Sequence, residues 1–205
     1  GDGPLVLYCH GVALASGGKK SAGRACIERG IRNLYASGYP AHRKAFAATR
    51  LAKLTAFTRP ARTKHLEVAF GYLLEAIRNR DYREDESRLL YLHLQNFWDM
   101  MPLPDRKRFA EAVAALPEAD PWLADLLVGR YHLEEAWQAM PIGWRPETRE
   151  EKERSWDLHR EEARRYLTAA YERKPGYPDA AAHLIRVAMT GGTRRGGDVI
   201  LLFQR

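Results

Sequence analysis

From Lys19 onward the apolar residues recur three and four positions apart, which is the period of a helix with one buried stripe. Lys19 to Ser37 reads as one helix, stopped by Gly38, and Tyr39-Pro40 opens a second that runs to about Phe57, since proline suits a first helical turn. Thr63 can cap a third through Asn79, with Leu66, Phe70, Leu73, Leu74 and Ile77 on one stripe. Asp81 to Glu84 has the form of a capping box. The helix that follows carries Leu89, Leu90, Leu92, Leu94, Phe97, Trp98 and Met101, apolar around most of its girth, and is expected at the centre.

Pro102-Leu-Pro104 breaks the chain, and Asp105 begins an amphipathic helix with Phe109, Val113 and Leu116 inward. Asp120-Pro121, a capping acid before a first-turn proline, is the clearest start signal, and opens a long helix in which Trp122, Leu126, Leu133, Trp137 and Met140 repeat at helical spacing. Pro141, Gly143 and Pro146 mark a loop. Thr148-Arg-Glu-Glu151 is a second capping box, for a helix reaching Lys174; Pro175-Gly-Tyr-Pro178 turns the chain into a last helix from Ala180 to Thr190, ahead of Gly191-Gly192.

Windows rich in strand-forming residues occur only at the ends, Leu5 to Tyr8 and Val199 to Phe203. The pattern predicts an all-α fold of about eight antiparallel helices stacked as hairpins. Residues 1–18 are expected as an extended segment, 19–190 as a helical-repeat domain and 191–205 as a tail.

The 205 residues are 45% hydrophobic and 29% charged, which excludes a chain disordered throughout, and no apolar run approaches the roughly 20 residues that span a bilayer. Charge is uneven. Gly1 to Leu66 holds 12 Lys+Arg against Asp2 and Glu28, a balance of +10, while the remainder carries 21 positive and 24 negative residues, a balance of −3. Such polarity suits a polyanion or a second copy of the chain. Arg outnumbers Lys by 25 to 8 and Ala reaches 29, a composition that GC-rich bacterial coding favours, so part of the basicity reflects composition.

Cys9 and Cys26 are too few for a disulfide scaffold and lack thiol-metal spacing. Two reduced thiols in a cytoplasmic protein are favoured over a Cys9–Cys26 bridge in an exported mature form, and the compartment stays open.

Ala163-x3-Leu167-x2-Ala170-x4-Pro175 resembles the second half of a tetratricopeptide repeat, where small residues let paired helices approach and proline ends the unit. Leu184 and Ala188 fall where the next repeat would place packing residues, while the Trp-Leu-Gly-Tyr half is missing from the charged stretch Glu147 to Arg154. Pro121-Trp-Leu, Gly129-Arg-Tyr-His132, Ala136-Trp137, Gly143-Trp144, Thr148, Glu150-Glu151, Trp156 and Pro178-x-Ala180-Ala181 together look like a bacterial family of unknown function with tetratricopeptide-like helices, mainly over residues 95–190. The resemblance implies a helical-repeat architecture and no activity.

Candidate chemistry is sparse. Pro4 to Gly11 resembles the strand ending in His-Gly that helps build an oxyanion hole in α/β-hydrolases, but no Gly-x-Ser-x-Gly accompanies it. Ser16-Gly-Gly-Lys-Lys-Ser21 evokes a phosphate loop but has Ala13 where a glycine belongs and Lys20 where a hydroxyl belongs, so a plain loop is preferred. Asp125, His132 and Glu135 share one helical stripe without a paired ligand motif, and read more simply, with Glu134, as a solvated face. His93 sits among leucines and is expected to satisfy a backbone carbonyl.

No catalytic, cofactor-binding or metal residue is therefore assigned. The leading expectation is a non-catalytic helical-repeat module that binds a protein or peptide, with Ile185 and Met189 left as apolar surface, and with self-association also open. The alternative is weak anion or nucleic-acid binding through the basic first third, by Arg43, Lys44, Arg50, Lys53, Arg59, Arg62 and Lys64. A hydrolase-like enzyme comes third.

Overall fold

The computed structural model describes residues 3–54, 59–80, 82, 87–139 and 149–190. Among them every regular element is a helix. The chain divides into two compact units, Gly1–Met101 and Pro102–Arg205, at the proline break after Met101.

The first unit holds α1 (Pro4–Ser16), α2 (Lys20–Tyr35), α3 (Ala41–Leu54), α4 (Arg59–Arg78) and α5 (Ser87–Trp98). The first of these corrects the expectation of an extended segment over residues 1–18, since Pro4 opens a helix that absorbs Leu5–Tyr8. Its end is a Schellman turn. Gly18, at φ 86°, donates its N–H to the Ala15 carbonyl, and Lys19 donates to the Leu14 carbonyl at 2.9 Å. The chain then reverses into α2, and as it climbs α2 the contacts descend α1. A Cβ on Gly23 would stand 2.6 Å from the Gly11 carbonyl oxygen and from the Ala15 nitrogen, and one on Gly30 would stand 2.9 Å from the Pro4 oxygen and the Tyr8 nitrogen. Main chain rests on main chain there, and only glycine allows it.

Ile27, Ile31 and Leu34 of α2 pack with Ala47 and Leu51 of α3, flanked by Leu5, Tyr8 and Tyr35. The helix pair α3–α4 is packed along its length, and Leu66, Leu73 and Ile77 of α4 are buried as their spacing predicts. α5 is less central than its composition suggests. Leu90, Tyr91, Leu94, Phe97 and Trp98 are buried, but Leu89 and Leu92 face outward.

The second unit holds α6 (Leu103–Ala114), α7 (Pro121–Ala139), α8 (Arg149–Arg173) and α9 (Pro178–Thr190). Asp120 caps α7, accepting the Trp122 backbone N–H at 2.9 Å. α7 and α8 form the most extensive helix pair of the unit, with Gly129 against Leu167 and with Ala163 and Ala170 fully buried. α6 packs on α7, and α9 packs on both α8 and α7. Trp122, Leu126 and Leu133 are buried as expected, whereas Trp137 is part-exposed.

Several sequence expectations fall outside the described residues: Asp81 and Glu84 of the first capping box, Met140, the loop with Gly143 and Pro146, Thr148, and the tail 191–205 with Val199–Phe203. No described helix is long and apolar enough to cross a membrane.

Candidate functional site

The hydrolase-like reading loses its strand. His10 lies on the exposed side of α1, its Nδ1 3.9 Å from Cys26 Sγ, and Gly11 is buried against Gly23 and Ile27 of α2 rather than opening a loop. The Gly17-Gly18-Lys19 backbone is equally committed. Its N–H groups close the end of α1 on the Ala13, Ala15 and Leu14 carbonyls, so they are not presented to an anion. Cys9 and Cys26 are free thiols, Cys9 exposed and Cys26 donating to the Leu7 carbonyl at 3.3 Å.

The basic residues of the first unit separate into distinct settings. Arg43, Phe46, Arg50 and Lys53 recur at intervals of three and four along α3, so they share one face. The Arg50 guanidinium lies 5.2 Å from the Phe46 ring centre, His93 of α5 meets that ring edge-on at 5.4 Å, and Lys53 Nζ donates to Asn96 Oδ1 at 2.9 Å. Burial, with Arg43 adding to it, lowers the His93 pKa. His93 thus belongs to an aromatic and cationic edge instead of serving a backbone carbonyl. Among the described residues Arg43, Arg50 and Lys53 have no carboxylate partner, and a row of cations with an aromatic ring among them is chemistry that attracts phosphates and stacks on bases.

The other cations lie elsewhere. Lys44 is turned toward the Tyr72 ring, 5.6 Å from its centre. Arg62 donates to the Met100 carbonyl at 2.9 Å, a structural use of its charge. Lys64 is exposed beside His65, whose pKa burial and that lysine lower. Arg59 lies in the first turn of α4, with its side chain outside the described set.

In the second unit the expected stripe does not converge. Asp125 accepts Arg173 Nε at 2.7 Å, Glu135 accepts the Tyr131 hydroxyl at 2.9 Å, and Glu134 is half-buried between Arg106 at 2.7 Å and Arg130 at 3.3 Å rather than solvated. His132 finds a partner that sequence reasoning missed: His159 of α8, with the two Nδ1 atoms 2.9 Å apart. The separation of 27 residues carries no motif. Tyr166 stacks parallel on His132 at 6.0 Å, and Tyr131 lies beside both imidazoles. Burial lowers the His132 pKa, His159 adds to it, and Glu162 and Glu135 pull the other way. Among the described residues no group of three or more His, Cys, Asp or Glu is arranged to hold a metal ion.

Ile185 and Met189 lie on the outer face of α9, 40% and 68% exposed, and exposed Ala182 continues their stripe. Leu184 and Val187 take the inner face. Comparison with protein-family models, with curated proteins and with solved structures finds no match for this chain.

Proposed function

We propose that the chain is a non-catalytic, tetratricopeptide-like stack of antiparallel helix hairpins that binds a protein or peptide partner. One observation carries this reading. The outer stripe of α9, Ala182, Ile185 and Met189, is apolar and exposed beside Arg186, which suits the apolar face of an acidic amphipathic helix. The small-residue seam of Gly129, Ala163 and Ala170 supports the repeat reading, because close helix pairs need it. The test places a photo-crosslinking residue at Ala182 in the full chain and compares it with Ile185→Asp and Met189→Asp backgrounds. A partner captured at Ala182 and lost in both variants, with unchanged melting, is the expected result; capture indifferent to both substitutions counts against the reading.

A second reading rests on a separate face. The Arg43, Phe46, Arg50 and Lys53 row supports binding of a single-stranded polyanion. Neutralising three phosphates gives a slope of log K against log salt of about −2 for a single strand, and a triple alanine variant of the cations should flatten it. A binding constant that barely responds to salt removes this reading.

A further inference from the structure

α7 and α8 each bring one imidazole to the same level of their seam, and His132 Nδ1 meets His159 Nδ1 at 2.9 Å. A neutral imidazole carries a single N–H, so a hydrogen bond across this gap requires the two rings to hold opposite tautomers. A metal ion asks instead for both rings protonated on Nε2, with both Nδ1 lone pairs aimed at one point.

The spacing selects among ions. With metal–nitrogen bonds of about 2.0–2.1 Å, nitrogens 2.9 Å apart subtend about 90° at the metal, the cis angle of a tetragonal shell. A tetrahedral ion would set them about 3.3–3.4 Å apart. We propose that His132 and His159 form a binding site for a divalent transition ion of tetragonal preference, Cu2+ or Ni2+, clasping α7 to α8. Since no third ligand of the described set stands in place, water fills the remaining positions.

Three surrounding features suit a cation. Burial disfavours protonation of His132, and only the neutral ring can ligate. Glu135 and Glu162 each follow a histidine by three residues, in the same His-x-x-Glu spacing on both helices, and both act favourably on positive charge at His132. Arg165, the opposing charge, is held by Glu162 at 2.5 Å and lies over Tyr166. Tyr166 and Tyr131 flank the rings, so taking up an ion asks for a change of tautomer and a small tilt of each ring within a packed setting.

The experiment titrates Ni2+ into the full chain by calorimetry, for the wild type, His132→Gln, His159→Gln and the double variant Cys9→Ala/Cys26→Ala, with Cu2+ followed by electron paramagnetic resonance. One ion per chain with micromolar affinity is expected, with coupling to two nitrogens in the copper spectrum. Affinity should fall about tenfold or more in each histidine variant and hold in the cysteine variant. Retention in both histidine variants overturns the site, as does binding that vanishes with the cysteines. Zn2+ displacing Ni2+ overturns the geometry. Should the variants unfold, nuclear magnetic resonance of the wild-type imidazoles decides: Ni2+ broadening must start at His132 and His159, and broadening centred elsewhere refutes the proposal.

Discussion

Asp120 and Lys174 tie the start of α7 to the end of α8: one Asp120 oxygen accepts the Trp122 backbone N–H, and the other accepts Lys174 Nζ. The ammonium lies between the Trp122 and Tyr177 rings, 5.6 and 5.3 Å from their centres. Two interactions thus depend on one side chain. Asp120→Ala should lower stability by about 1–2 kcal/mol, chiefly through the lost cap. Asp120→Asn keeps the cap and loses only the part-buried ion pair to Lys174, so it should cost less than Asp120→Ala. Urea melts of both variants separate the contributions.

Glycine-to-alanine substitutions in the α1–α2 seam and on the open face of α4 should act in opposite directions. Gly23→Ala drives a Cβ to 2.6 Å from backbone atoms of α1 that cannot swing aside, and should destabilise by about 1–3 kcal/mol. Gly71 of α4 has nothing within 4 Å of its Cβ position, so Gly71→Ala should stabilise by about 0.5–1 kcal/mol through helix propensity alone. Thermal melts in one buffer read both signs.

His183 on α9 gives the clearest acid sensitivity. Burial, with Arg130 and Arg186 adding to it, pushes its pKa down to about 4 from an ordinary 6.5. The unfolded chain therefore binds this proton more readily than the folded one, so the stability it confers is whole above about pH 6.5 and is lost as pH falls toward 4. A loss on the order of 3 kcal/mol follows from a shift of this size. Denaturant midpoints at pH 7 and pH 4 should differ less in His183→Gln than in the wild type.

The two thiols should react at different rates. Cys9 is exposed, whereas Cys26 is part-buried and donates to the Leu7 carbonyl. A chromogenic disulfide reagent should label the native chain in a fast and a slow phase, and Cys9→Ala should abolish the fast one. A single phase of two thiols contradicts the difference in exposure.

The helix boundaries are largely legible because proline, glycine and capping acids leave local marks: Asp120-Pro121 starts α7 where those rules place it, and α9 starts at Pro178, two residues ahead of the expected Ala180, because that proline takes the first helical turn rather than the preceding turn. α1 is misread because its apolar residues surround the axis, leaving no period to separate helix from strand. The signal that could have found it lies in Gly23 and Gly30, seven residues apart on α2 and both facing α1. The candidate sites are less legible. His132 alone gives no hint of His159, and Asp125 gives none of Arg173, since such partners are set by how two helices dock. The cationic row of α3 lay in the sequence as one charge run, and only the placement of Phe46 and His93 separates Arg43 and Arg50 from Lys44 and Arg62.

The Schellman reversal at Gly17-Gly18-Lys19 sets an order of events in time. Partners joined by three residues meet with little loss of chain freedom, whereas α7 and α8 must first close the longer stretch 140–148. Early in refolding, amide protons along α1 and α2 should therefore gain protection before those along α7 and α8 in a pulsed hydrogen-exchange experiment, with the amino-terminal hairpin as the first surface against which α3 can settle.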